Sequence, residues 1–113
     1  MRLHFLGKGG SDRNGCPTLC ANDQGSYVAS GWQTDQADTI EIPHLLPGFA
    51  ETGTFLGARM TDTGRGTFLV SGRPITDHET LSQIDLAEDE SAIEVPKTER
   101  TYYGAAAAGR SLA

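Results

Sequence analysis

The chain has no apolar run long enough to cross a membrane as a helix. Its apolar stretches are short, and one is broken by Pro47 and Gly48, far below the ~20 residues a spanning helix needs. No secretory leader is expected, because Met1-Arg2-Leu3-His4-Phe5-Leu6 runs straight into Gly7-Lys8-Gly9-Gly10 without an apolar core segment. Cytoplasmic residence, with no membrane association, is the expectation. Cysteine is scarce. Cys16 and Cys20 are the only two, which excludes a scaffold held by several disulfides. Basic residues are also few: nine Lys and Arg stand against 15 Asp and Glu, for a net charge of −6. Nucleic-acid binding is driven by Lys and Arg that release counterions, so direct binding is disfavoured. Aromatics make up only 7% of 113 residues, and a domain of this size buries a modest core.

What is present is a globular composition with the acids unevenly placed. Residues 77–94 carry Asp77, Glu79, Asp85, Glu88, Asp89, Glu90 and Glu94 and no Lys or Arg. That segment holds −7, so the remainder sums to +1. Such a lobe is either a solvated surface or a face that steers a basic partner.

Two short segments echo each other. Gly25-Ser26-Tyr27-Val28-Ala29-Ser30-Gly31 resembles the later run Gly66-Thr67-Phe68-Leu69-Val70-Ser71-Gly72. Thr39-Ile40-Glu41-Ile42-Pro43 resembles Ala92-Ile93-Glu94-Val95-Pro96, at a wider offset, so the second half holds an insertion. Each half reads as a hairpin plus a strand. In the first, residues 18–21 and 26–30 flank an Asn-Asp-Gln-Gly turn. In the second, a strand over 54–60 and another over 67–71 flank a Gly-rich turn. The Ile-Glu-Ile and Ile-Glu-Val runs alternate as half-buried strands. Pro43 and Pro96 end them or mark an edge. The insertion is expected to be a two-turn helix, with Thr76 as N-cap, Glu79 closing a capping box, and an end near Asp85. Residues 2–6 give an N-terminal strand, residues 7–15 a loop, and residues 43–53 a loop anchored by Leu45, Leu46 and Phe49. The fold class expected is therefore mainly β with one short helix. Two hairpin-plus-strand units, over about 18–43 and 54–96, form a small barrel or sandwich with a pseudo-two-fold internal repeat. They make one domain over 1–100, followed by an Ala-rich tail at 101–113 that is helical or loose.

Chemistry-bearing patterns are thin. Cys16 and Cys20 lack the ligands to complete a zinc site, since His4, His44 and His78 occur singly. The simplest reading of Cys20 is a small buried apolar residue. Gly7-Lys8-Gly9-Gly10-Ser11 lacks the spacing and following helix of a phosphate loop. Ser30 and Ser71 make no nucleophile elbow. Glu88-Asp89-Glu90 falls short of a calcium loop. Glu41 and Glu94 occupy echoed positions, where outward-facing glutamates are the common case and an acid–base pair the rare one. Trp32, the sole tryptophan, either packs on the core or anchors an interface. No catalytic residue, metal ligand or cofactor is assigned.

The run Pro17-Thr18-Leu19, Asp23-x-Gly25-Ser26-Tyr27-Val28, Gly31-Trp32 and Ile93-Glu94-Val95-Pro96 resembles a group of small uncharacterised actinobacterial proteins. Members look like accessory partners of helix-turn-helix regulators. The resemblance spans most of residues 1–97, and Cys20 stands where an aromatic is more usual. It implies a regulatory role and transfers no catalytic motif. The function expected is a non-enzymatic interaction module. It would bind a basic partner, such as a helix-turn-helix regulator, through Asp85, Glu88, Asp89 and Glu90, with Trp32 as hydrophobic anchor. The alternatives are a small-ligand binder or enzyme with a pocket between the two halves, and a β-ribbon DNA binder acting as a dimer. A homodimer is compatible with either interaction reading.

Overall fold

The computed structural model describes residues 1–9 and 16–99. The tail and most of the glycine-rich 7–15 segment, on which two of the expectations fell, lie outside the described residues. The chain is mainly β. It forms strands β1 (Leu3–Lys8), β2 (Thr18–Asn22), β3 (Ser26–Gln33) and β4 (Thr39–Pro43), then a 3-10 turn (Leu46–Phe49). There follow β5 (Thr54–Leu56), β6 (Met60–Asp62), β7 (Thr67–Ser71), β8 (Arg73–Pro74), helix α1 (His78–Leu81) and β9 (Glu90–Glu99). Every pairing is antiparallel.

β9 is the hub. One of its edges pairs with β3 from Ser26–Pro96 to Trp32–Glu90, and the other pairs with β8 and then β5. β3 changes partner along its far edge. Thr18 to Ala21 of β2 face Ser30 to Tyr27, and β4 then takes over opposite Trp32 and Gln33. Gly31 sits at this handover, where a Cβ would lie 2.5 Å from the Glu41 carbonyl oxygen. Gly72 sits at the matching step between β7, paired with β4, and β8, paired with β9. A Cβ there would lie 2.6 Å from the Glu94 carbonyl oxygen. Only glycine allows the backbones to pass so close.

The echoed segments occupy like registers. Val28 stands opposite Glu94 and Leu69 opposite Glu41. Trp32 stands opposite Glu41 and Arg73 opposite Glu94. Leu19 stands opposite Ala29 and Met60 opposite Val70. Each half thus lends its Ile-Glu strand to the other half's long strand. The likeness stops at the outer strands: β1 adds to β2, whereas β5 adds to β9.

The sheet does not close into a barrel. Its ordered path ends at β1 on one side and β6 on the other. The strand expected over 54–60 is split at Gly57. Its N–H donates to Pro96 O at 2.8 Å, and a Cβ would collide with Thr98 Oγ1. β5 pairs with β9 and β6 with β7.

Period-2 alternation sorts the side chains onto two faces. On the inner face Leu19, Tyr27, Ala29, Ile40, Ile42, Val70, Ile93 and Val95 join Leu46 and Leu56 in one core cluster. Leu46 is the anchor of the 43–53 segment. Leu45 and Phe49 are 52% and 37% exposed and lie over Gly9 and Gly7 of the β1 end. On the outer face a second cluster covers Val28 and Ala92 with Ile75, Leu81, Ile84, Met1 and Leu3. Leu69, in the register that matches Val28, has no such cover and is partly exposed. The neighbouring positions follow suit: Cys20 stands opposite Val28 and Ala92 belongs to the covered patch, while the matching Thr61 and Thr39 carry hydroxyls.

The helix is shorter than the sequence suggested and starts one residue later. Asp77, not Thr76, is the N-cap. Its Oδ2 accepts from Thr80 N at 2.9 Å and from Thr80 Oγ1 at 2.5 Å. After Leu81 the chain tightens into i to i+3 bonds, Gln83 N to Thr80 O and Ile84 N to Leu81 O, and the helix stops after one turn.

Candidate functional site

Two places in the fold gather polar residues beyond the needs of the ladders. One is the end of the sheet where β3 finishes and β9 begins. Trp32 pairs across from Glu90, Gln33 N–H donates to Asp89 O at 2.7 Å, and Gln33 Nε2 donates to Glu90 O. The indole, partly buried and outside both core clusters, is therefore held beside the acidic turn. Asp85, Glu88 and Asp89 are exposed on the segment that leads into β9, Asp85 beside Leu3, Phe5 and Cys20, and Asp35 is exposed on the loop after β3. Among the described residues none of these carboxylates forms a salt bridge.

Glu90 differs from its neighbours. It is 5% exposed, and its Oε1 accepts from Ala87 N at 3.0 Å. Burial pushes its carboxyl above the ordinary glutamate range. The Ala87 N–H bond opposes this, while Asp89 and Asp85 add to it. Its carboxylate tethers the 87–90 turn, so the surface available to a partner is Asp85, Glu88 and Asp89.

The second place is a groove of about 570 Å³ between the two halves, lined by Gln24, Gly25 and Ser26 from the first and by Gly72, Arg73, Glu94 and Pro96 from the second. Glu94 is its polar centre. Its Oε2 accepts from Ser26 Oγ and from Asn22 Nδ2 (3.2 Å), and its Oε1 accepts from Arg73 Nη2. The matching carboxylate, Glu41, accepts from Thr67 Oγ1 at 2.5 Å and from Arg65 Nη2 at 2.9 Å. The Thr67 hydroxyl, aided by Arg65, holds Glu41 below the ordinary range. The two glutamates do not hydrogen-bond to each other. Each is satisfied in its own cluster, which suits an ion-paired structural role and leaves no carboxyl pair with split protonation.

The remaining sequence candidates are dispersed. Cys16 and Cys20 are both buried and are not joined by a disulfide, and burial raises the Cys20 thiol. Ser30 Oγ accepts from Thr18 N, and Ser71 Oγ bonds Thr39 Oγ1. His44 Nε2 lies 3.3 Å from Asp62 Oδ1, and the ring packs tilted against Phe68. Among the described residues, no three of His, Cys, Asp and Glu converge as metal ligands. No helix among them is long and apolar enough to cross a membrane.

Sequence reasoning did not find Arg73, Ser26 and Asn22 around Glu94. A signal was present. Ser26 and Thr67 hold the same place in the echo, and each lies one diagonal step from the other half's glutamate across a ladder.

Comparison of the chain with protein-family models, with curated proteins and with solved structures gives no match.

Proposed function

We propose that the chain is a non-enzymatic interaction module that takes a basic protein partner on its acidic end. A helix-turn-helix regulator is the partner type suggested by the sequence resemblance. The observation that carries the reading is the register that sets the only tryptophan opposite Glu90, at the turn that exposes Glu88 and Asp89, neither of which forms a salt bridge among the described residues. Tryptophan is enriched among binding hot spots, and acids near it steer a partner of opposite charge. Charge of this kind speeds encounter more than it adds affinity. Satisfied carboxylates and scattered histidines favour binding over catalysis.

The test is capture of partners from nuclease-treated host lysate by the full chain. The comparison is with a triple variant, Asp85→Lys, Glu88→Lys and Asp89→Lys, and separately with Trp32→Ala. Glu90 is left intact because it holds the turn. A basic protein retained stoichiometrically by the parent, lost with the triple variant and released by raised salt supports the reading. Equal capture by parent and triple variant sinks it.

The groove between the halves favours a second reading, a small-ligand binder. It draws on both halves and presents the exposed Arg73 guanidinium beside Glu94. A ligand at 100 times its Kd adds roughly 2.7 kcal/mol of stability. A thermal-shift screen of nucleotides and common metabolites with no shift would remove this reading.

A further inference from the structure

We propose that the groove between the two halves is a receptor for a small organic oxyanion, a carboxylate or phosphate ester with an apolar body. This rests on the second reading above, that the groove takes a small ligand. The Glu94 and Glu41 clusters differ in one respect. Each holds its carboxylate with a hydroxyl at an echoed position, Ser26 for Glu94 and Thr67 for Glu41. The arginine changes place. At Glu41 it is Arg65, from the turn before β7, and Trp32 holds the position that matches Arg73. At Glu94 the matching turn residue is the uncharged Gln24, and Arg73 reaches the carboxylate from β8. Gln24 and Arg73 both line the groove.

Within the Arg73–Glu94 pair the cation is the accessible member: the two side chains are 67% and 14% exposed. Glu94 already accepts from Ser26, Asn22 and Arg73. Arg73 gives an N–H on Nη2 to Glu94 and has no other side-chain partner among the described residues. A guanidinium carries five N–H donors in a planar fork, so most of them remain for a ligand. They are also aimed in advance. Ser26 and Asn22 tie Glu94 to β3 and β2, and Glu94 in turn orients Arg73, which lowers the ordering cost of binding. Lys97 lines the groove too, but its Nζ is turned to Glu51 and lies 5.1 Å from the Tyr27 ring centroid. Asp23, next to Gln24, is not among the lining residues, and its Oδ1 accepts from Arg2 N. A ligand entering here meets surplus charged donors, so it must bring anionic acceptors, and a carboxylate or phosphate matches the guanidinium fork. The apolar body follows from the walls. Gly25 and Gly72 put no side chain into the space, Pro96 is exposed along it, and about 570 Å³ admits a ring.

The test is a titration of the ¹⁵N-labelled full chain with benzoate, phenyl phosphate and the neutral benzamide. The expected result is saturable shifts at Gly25, Ser26, Gly72 and Arg73 with both anions, and binding of benzamide weaker by about tenfold or more. The stronger of the two anions identifies the preferred oxyanion. Arg73→Gln can still donate to Glu94, so it is expected to keep the spectrum of the folded chain. It is expected to weaken both anions by about tenfold or more, the worth of one charged hydrogen bond. Arg65→Gln makes the same change at the Glu41 cluster and is expected to bind as the parent does. Benzamide binding in the groove as tightly as benzoate overturns the oxyanion assignment and leaves the groove a ligand site. Shifts that miss the groove with every probe overturn both. Undiminished binding to Arg73→Gln, or an equal loss with Arg65→Gln, also overturns the proposal.

Discussion

Replacing Gly31 with alanine presses on the handover where β3 exchanges β2 for β4. The new Cβ would lie 2.5 Å from the Glu41 carbonyl oxygen and 2.8 Å from Ile42 Cγ2. Carbon–oxygen contacts settle near ~3.3 Å, so β4 must retreat by about 0.8 Å. The backbone angles at Gly31 admit alanine, because its φ is not positive. Alanine therefore recovers about 0.4–1 kcal/mol through the less disordered unfolded chain. Against this stands an overpacking cost of about 1–3 kcal/mol. The retreat also stretches the Trp32–Glu41 and Gln33–Ile40 pairings, whose hydrogen bonds are worth about 1 kcal/mol each. The net expectation is a loss of about 2 kcal/mol. With an unfolding entropy of about 2.1 cal/mol/K per residue over roughly 90 residues, that lowers Tm by about 10 °C. Calorimetry and urea melts followed by tryptophan emission measure it, and Trp32 reports because it neighbours the substituted position. Gly48→Ala is the control. Nothing lies within 4 Å of a Cβ there, so the expected change is a gain of about 0.4–1 kcal/mol. If Gly31→Ala melts within roughly 2 °C of the parent, less than about half a kcal/mol, the close approach of β3 and β4 is wrong.

Two further outcomes follow from buried polar groups. The Tyr27 hydroxyl accepts from Glu51 N at 2.8 Å and donates to Thr54 Oγ1 at 2.5 Å, and Tyr27 is fully buried. Tyr27→Phe leaves that amide without its partner and is expected to cost about 1–2 kcal/mol in urea melts; an unchanged midpoint would show that the hydroxyl holds nothing. Glu90→Gln keeps an oxygen for Ala87 N–H and removes a buried charge. The folded chain holds the Glu90 proton more tightly than the unfolded chain does. Glu90 therefore costs stability as pH rises through and above its ordinary value of 4.5. The variant is expected to melt higher than the parent at pH 7, with the gap narrowing as pH falls below 4.5. A variant that melts lower at pH 7 would reverse the sign and refute the assignment.

Much of the strand pattern was legible in local alternation. Residues 39–43 read as a strand from Ile40, Glu41 and Ile42, and β4 occupies those residues. The hairpin of β2 and β3 followed from the Asn-Asp-Gln-Gly turn, whose Gly25 has φ 81°. What failed locally was decided by distant contacts. The 54–60 strand splits where its partner changes from β9, far along the chain, to β7, at Gly57, over which Thr98 packs. The Thr76 cap lost to Asp77 because the Asp77 carboxylate takes both Thr80 donors at once. The acidic run and Trp32 were each visible in the sequence, but their meeting was not. It depends on the β3–β9 register, set between segments from opposite halves of the chain. Glu90 looked like its acidic neighbours because no local pattern announces burial.

The position of β9 in the chain has a consequence for synthesis. The strand that pairs with β3, β5 and β8 is the last of the described strands to be made. At about 5–20 residues per second, roughly 66 residues separate completion of β3 from completion of β9, an interval of roughly 3–13 s. Until then the long edge of β3, from Ser26 to Trp32, lacks the strand it closes against. A product truncated before residue 90 would join its two halves through the β4–β7 ladder alone. Folding of the sheet is therefore tied to the arrival of β9, and protection of that waiting edge falls to whatever receives the chain as it leaves the ribosome.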